Sequence, residues 1–205
     1  MSMPTAPEEL APSYRYPTYL FRKKMLKLFG GRIDIYGPDE QPVMVCLQKA
    51  FKLKEDIRLY TDDTKTKELL TIKARSILDF SAAYDVTDAP SGQFIGTLRR
   101  KGFESMIRDA WEVLNPAGQV IAKIEEDQML LALLRRFIDG AGLIPQSFHF
   151  MAPNGAELAR ARQRFNPFIH RMDLFMPGPQ QAAYLDPRLV LAATTLLVLI
   201  EGRQS

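Results

Sequence analysis

The chain has 205 residues, enough for one full core, and its 46% hydrophobic and 25% charged residues match a globular domain rather than a disordered or fibrous one. A single cysteine, Cys46, excludes an intrachain disulfide framework, fits a reducing compartment and reads as a small buried hydrophobe. The net charge of +3 permits an acidic partner without demanding one, and with no basic-then-apolar leader at the start the expected location is cytoplasmic.

Residues 1–17 carry Pro4, Pro7, Pro12 and Pro17 with few aliphatic side chains and read as a mobile tail; 18–205 read as one domain. Short segments with strand character follow. Tyr19 to Phe29 is basic and aromatic and ends at Gly30-Gly31. Arg32 to Tyr36 returns, and Gly37-Pro38-Asp39 turns again. Val43 to Ala50 alternates Val43, Val45 and Leu47 with Met44, Cys46 and Gln48, the period of a strand. Ile57 to Tyr60 and Glu68 to Ala74 flank Asp62-Asp63. Ser81 to Val86 and Gln93 to Arg100 flank Asp88-Ala89-Pro90-Ser91-Gly92. Ala110 to Leu114 and Val120 to Glu125 flank Asn115-Pro116-Ala117-Gly118, where Pro sets φ and Gly supplies the positive φ that closes a turn.

The pattern then changes. Gln128 to Ile138 is predicted as a helix, with Glu125, Glu126 and Asp127 at its start, Arg135 and Arg136 near its end, and Gly140 and Gly142 beyond. Strands resume at Gln146 to Met151 and Glu157 to Phe165, joined by Pro153-Asn154-Gly155, and Phe168 to Leu174 is the last. Asp186 to Gly202 is a second helix with both ends marked: Asp186 as N-cap, Pro187 at the first helical position, Gly202 as the stop. Between them Leu189 to Ile200 is uncharged, with only Thr194 and Thr195 polar. A helix apolar on every side must be enclosed on every side. Its twelve residues span about 18 Å, against about 30 Å for a bilayer core, so protein is the expected enclosure.

About twelve evenly spaced strands and one enclosed helix define the fold class: mainly β, a closed antiparallel barrel around a C-terminal hydrophobic helix. Eight strands leave room only for side chains and sixteen leave a water channel. Ala159, Ala161 and Gln163 are predicted to face the barrel interior, with Arg160, Arg162 and Arg164 on the outer face.

The stretch Phe94-Ile95-Gly96-Thr97-Leu98-Arg99-Arg100-Lys101-Gly102, then Arg108-Asp109-Ala110-Trp111-Glu112-Val113-Leu114, then Gly118 to Glu126, with the terminal Asp186-Pro187-Arg188 and the apolar run to Glu201-Gly202-Arg203, resembles the tubby-like C-terminal superfamily, in its LURP-one-related and phospholipid-scramblase-like branch. The likeness covers roughly Tyr19 to Gln204. It implies a twelve-stranded barrel around a hydrophobic helix, and divides on function. Tubby proteins bind phosphoinositides through a basic surface and regulate transcription; scramblases are associated with calcium and membrane lipid. Scramblases carry an acidic segment before the last helix. Here Asp173 to Asp186 holds carboxylates only at its ends, which speaks against calcium.

Other chemistry finds little support. His149 and His170 fall in strands and belong to no nucleophile signature. One cysteine and two histidines are too few for an ordinary structural zinc site, and Gly30-Gly31 lacks a phosphate-loop context. No cofactor or metal is expected. Asp62-Asp63 reads as a turn. The functional signal is positive charge: Arg22, Lys24, Arg99, Arg100, Lys101, Arg160, Arg162 and Arg164 are the candidate ligand-binding residues, beside Lys52, Lys54 and Arg135-Arg136. On a strand Arg160, Arg162 and Arg164 form a row with about 7 Å between neighbours, able to hold phosphate in planar forks. The aromatics Tyr14, Tyr16, Tyr19 and Phe21 are expected to pack on the barrel. The predicted function is a non-enzymatic module, expected as a monomer without a transmembrane span. It would bind an anionic lipid headgroup or membrane surface, with nucleic acid left open as another phosphate source. The alternatives are a scramblase-like lipid protein or a structural or regulatory protein-interaction barrel.

Overall fold

The computed structural model describes residues 10–24, 32–48, 56–75, 83–100, 111–127, 145–166, 168–176 and 184–200. Twelve strands run β1 Thr18–Lys24, β2 Arg32–Tyr36, β3 Pro42–Gln48, β4 Asp56–Tyr60, β5 Glu68–Ala74, β6 Ala83–Asp88, β7 Phe94–Arg100, β8 Trp111–Leu114, β9 Val120–Glu126, β10 Ser147–Met151, β11 Glu157–Arg164 and β12 Ile169–Phe175. Each pairs antiparallel with the next, and β12 pairs back onto β1, from Thr18 opposite Phe175 to Lys24 opposite Ile169. The result is the closed barrel that the turn spacing predicts.

Alternation sorts the side chains. Ile33 and Ile35, Ile57 and Leu59, Leu70 and Ile72, and Met172 and Leu174 point inward and are fully buried. So are Ala159 and Ala161, while Arg160, Arg162 and Arg164 lie on the outer face, as the sequence predicts. Phe21 and Tyr19 pack inside; Tyr14, in a short 3-10 turn, is buried, and the Tyr19 hydroxyl donates to the carbonyl of Ser13. At the β8–β9 turn, Gly118 takes φ of 78° and its N–H closes on the Asn115 carbonyl at 2.9 Å.

The interior is filled by α1, Pro187–Ile200, of which every residue from Arg188 to Leu199 is buried. Its hydroxyls are satisfied locally: Thr194 donates to the Val190 carbonyl at 2.9 Å and Thr195 to that of Leu191 at 2.8 Å. Both ends are anchored. The Asp186 carboxylate accepts the Arg188 backbone N–H at 2.8 Å, capping the N-terminus. At the other end Lys23, from β1, points inward and its Nζ donates to the carbonyls of Val198 and Leu199 at 3.2 and 3.3 Å. A cation at a helix C-terminus satisfies orphan carbonyls and favours the dipole. β7 lies tight against the helix at Gly96, where a Cβ would overlap the Leu114 carbonyl oxygen and press on Leu189.

Two details go beyond the sequence reading. The hairpin turn expected around Asp88 to Gly92 is present, its Gly92 N–H closing on the Asp88 carbonyl at 2.9 Å, but the Asp88 side chain is buried because it meets the Arg188 guanidinium at 3.1 Å. The strand expected to end at Glu125 runs one residue further, so Glu126, read as part of a helix start, completes β9 and pairs in register with Phe148. The helix predicted near 128–138 lies outside the described residues, as do Lys52, Lys54, Lys101, Arg135, Arg136 and Gly202.

Candidate functional site

Barrel closure brings together charges that are far apart in sequence. On the outer wall Arg22 of β1 lies directly opposite Arg171 of β12, and Arg171 lies directly opposite Arg164 of β11. Three arginines therefore stand side by side across three strands, about 5 Å between neighbours. Like charges directly opposite one another disfavour the sheet. Arg162 and Arg160 follow along β11, in register with Asp173 and Phe175.

Carboxylates offset part of this charge. Arg22 meets Glu40 at 2.9 Å, and its guanidinium stacks 4.4 Å over the Tyr36 ring. Arg164 meets Asp173, with Nη2 at 2.7 Å from Oδ1, and Arg160 meets Glu157 at 2.9 Å. The Asp173 pairing raises the already high pKa of Arg164. Burial acts to raise the Glu157 carboxyl, but Arg160 and His149 outweigh it and hold it below its ordinary range. Among the described residues Arg171 and Arg162 have no ion-pair partner. The Arg171 Nε is buried without a hydrogen bond, and so is that of Arg22. Of these five guanidinium groups, those of Arg22, Arg164 and Arg160 each meet a carboxylate and those of Arg171 and Arg162 do not; Asp34, opposite Arg22 on β2, is taken up by Arg32.

Two of the other predicted residues lie on a different strand, away from this row. Arg99 is on β7, where it meets the nearly buried Glu112 at 2.6 Å; Arg100 follows, in register with Trp111. Lys24 ends β1, opposite Ile169 on the edge of the arginine row. Arg171 escaped the sequence reading, although alternation in Ile169–Phe175 already puts Arg171 and Asp173 on the outward side.

Two polar clusters elsewhere serve the fold. A cavity of about 420 Å³ opens beside the start of α1, lined by Tyr14, Arg15, Lys67, Leu69, Asp88 and Arg188 among others. Burial acts to raise the Asp88 carboxyl, but hydrogen bonds from Ser91 and the Arg188 guanidinium outweigh it and hold it low. Arg188 also meets Asp186 at 2.8 Å, so its charge is taken up twice. Burial, and then the Asp88 charge, push the Tyr14 hydroxyl up. Inside the barrel, Lys23 pairs in register with His170, which burial and then the Lys23 charge push down to about 4; burial likewise raises the Cys46 thiol. Among the described residues no group of three His, Cys, Asp or Glu side chains could hold a metal ion, and no helix is long and apolar enough to cross a membrane.

A helix-plugged antiparallel barrel with a charged outer wall is the architecture expected of the tubby-like class. The LURP-one-related family model matches residues 43–166, more than half of the chain, and the protein belongs to that family. No curated protein and no solved structure matches it. Family and fold fit a binding or regulatory barrel.

Proposed function

We propose that this protein is a non-enzymatic binding barrel whose β1–β12–β11 wall takes phosphate-bearing anions, with the headgroups of anionic phospholipids as their source. The observation that carries this reading is the Arg22–Arg171–Arg164 row, whose central guanidinium has no carboxylate of its own among the described residues. Arginine meets phosphate as a planar fork, with roughly twice the strength of a neutral hydrogen bond. An anion over Arg171 would relieve the repulsion that the row builds in. The test is sedimentation with phosphatidylcholine vesicles, with and without phosphatidylserine. The parent protein pellets only with the anionic vesicles, less so as salt rises. Arg171→Met and the combined change of Arg160, Arg162 and Arg164 to Glu both abolish this. Equal sedimentation of parent and variants overturns the assignment.

A further inference from the structure

At one end of the arginine row the chain turns from β11 into β12, and the turn carries two exposed aromatic rings. Phe165 is 57% and Phe168 71% exposed. Phe168 and Ile169 are tied back to Asn166, whose side-chain oxygen accepts the backbone N–H of Phe168 at 3.0 Å and of Ile169 at 2.9 Å. Two large apolar rings held out into water beside a cationic wall suit an interface where one zone is apolar and the next is anionic. The spacing agrees. Phe165 directly follows Arg164, and Phe168 precedes Arg171 by three residues, about 10 Å along an extended chain. Interfacial side chains reach about 5–10 Å into the headgroup and acyl boundary. Rings at that depth would bring Arg164 and Arg171, the residues of the row nearest the turn in sequence, towards the lipid phosphates.

We propose that the β11–β12 turn is a membrane-insertion tip: Phe165 and Phe168 enter the interfacial layer of an anionic bilayer while the arginine row binds its phosphates. This rests on the phosphate-binding reading of that wall and names the bilayer, rather than a soluble phosphate, as its partner. Phe175 and Tyr184 are also exposed, with Phe175 at the opposite end of β12, and serve as controls.

The experiment combines vesicle sedimentation with fluorescence. Phe165→Ser with Phe168→Ser lowers affinity for phosphatidylserine vesicles at least about tenfold, since one ring transferred from water is worth about that factor. Phe175→Ser and Tyr184→Ser leave it unchanged. The native Trp111 is buried in the wall, so Phe168→Trp supplies an emission that shifts to the blue and is quenched by brominated acyl chains; Tyr184→Trp does neither. Binding of inositol hexakisphosphate separates the two readings. Serine variants that still bind this soluble anion but lose vesicles support insertion. Two results overturn insertion and leave the arginine reading standing: serine variants that sediment like the parent, or a Phe168→Trp protein whose emission stays unchanged on vesicles that pellet it. Parent protein that binds neither hexakisphosphate nor vesicles overturns both.

Discussion

Acidification should remove stability from this barrel through His170, and the size of the effect follows from its surroundings. The ring is 3% exposed, its Nε2 has no hydrogen-bond partner, Lys23 stands opposite on β1, and the Gln163 amide is 3.4 Å from Nδ1. Charging it there means placing a second cation in a dry interior, which is why its pKa falls from 6.5 to about 4. In the unfolded chain the ring takes its proton as pH drops below about 6.5; in the folded protein it refuses it until about 4. Between these values the unfolded state binds more protons, so stability rises with pH across the window and is lost as pH falls through it. The gap corresponds to roughly 3 kcal/mol, nearly all of it present at neutral pH. Urea unfolding followed by Trp111 fluorescence, between pH 7 and about 4.5, measures it in the parent and in His170→Gln. Asp88 and Glu157, held low by their partners, contribute in the same direction at more acid pH. The difference between the two proteins therefore isolates the histidine. A variant that loses as much stability over this range as the parent refutes the account.

The lock at the start of α1 predicts that Asp88→Ala lowers urea-measured stability by about 3 kcal/mol, because it leaves Arg188 buried with Asp186 as its one remaining carboxylate among the described residues. Gly96→Ala must displace either the β8 backbone or Leu189, and should lower stability by at least about 1–3 kcal/mol, seen as a fall in the thermal midpoint. Arg171→Met runs the other way: it removes an unpartnered buried Nε and the repulsion of that guanidinium with its two like-charged neighbours, so its urea midpoint should equal or exceed the parent's even as vesicle binding is lost.

Local features were legible in the sequence; partnerships across the barrel were not. Asp186 and Pro187 announced the start of α1, and its uncharged run announced enclosure, because capping and burial are decided within a few residues. The alternation of alanine with arginine on β11 defined its two faces directly. Arg171 was invisible as the centre of a site because its neighbours Arg22 and Arg164 are set by the register of β12 on β1 and β11, and no local pattern encodes the closure of first strand on last. Asp88 was hidden for a similar reason. Its turn-rich surroundings describe the hairpin, while its partner Arg188 lies a hundred positions on. Lys23 was masked by the basic run around it. Strand alternation sends Arg22 outward and Lys23 inward, where the carbonyl end of an enclosed helix receives its part-buried ammonium.

That enclosed helix also decides where binding can occur. A barrel of this size could hold a ligand if it were empty, but α1 fills it from Arg188 to Leu199 and is anchored at both ends, by Asp88 and Asp186 at one and Lys23 at the other. Opening the interior to a lipid tail would break a buried ion pair and leave helix carbonyls without partners, in addition to exposing the apolar run. Each of the first two carries a penalty of kcal/mol size. Ligand chemistry is thereby displaced to the outer wall and the rims. On that wall most arginines stand beside a carboxylate, as a surface built only for solubility would arrange them. Arg171 and Arg162 depart from the pattern, and of the two only Arg171 stands between two guanidiniums, a few rungs of β12 from an exposed aromatic tip. A fold that neutralises its neighbours and leaves this one open is set up to receive the missing charge from outside.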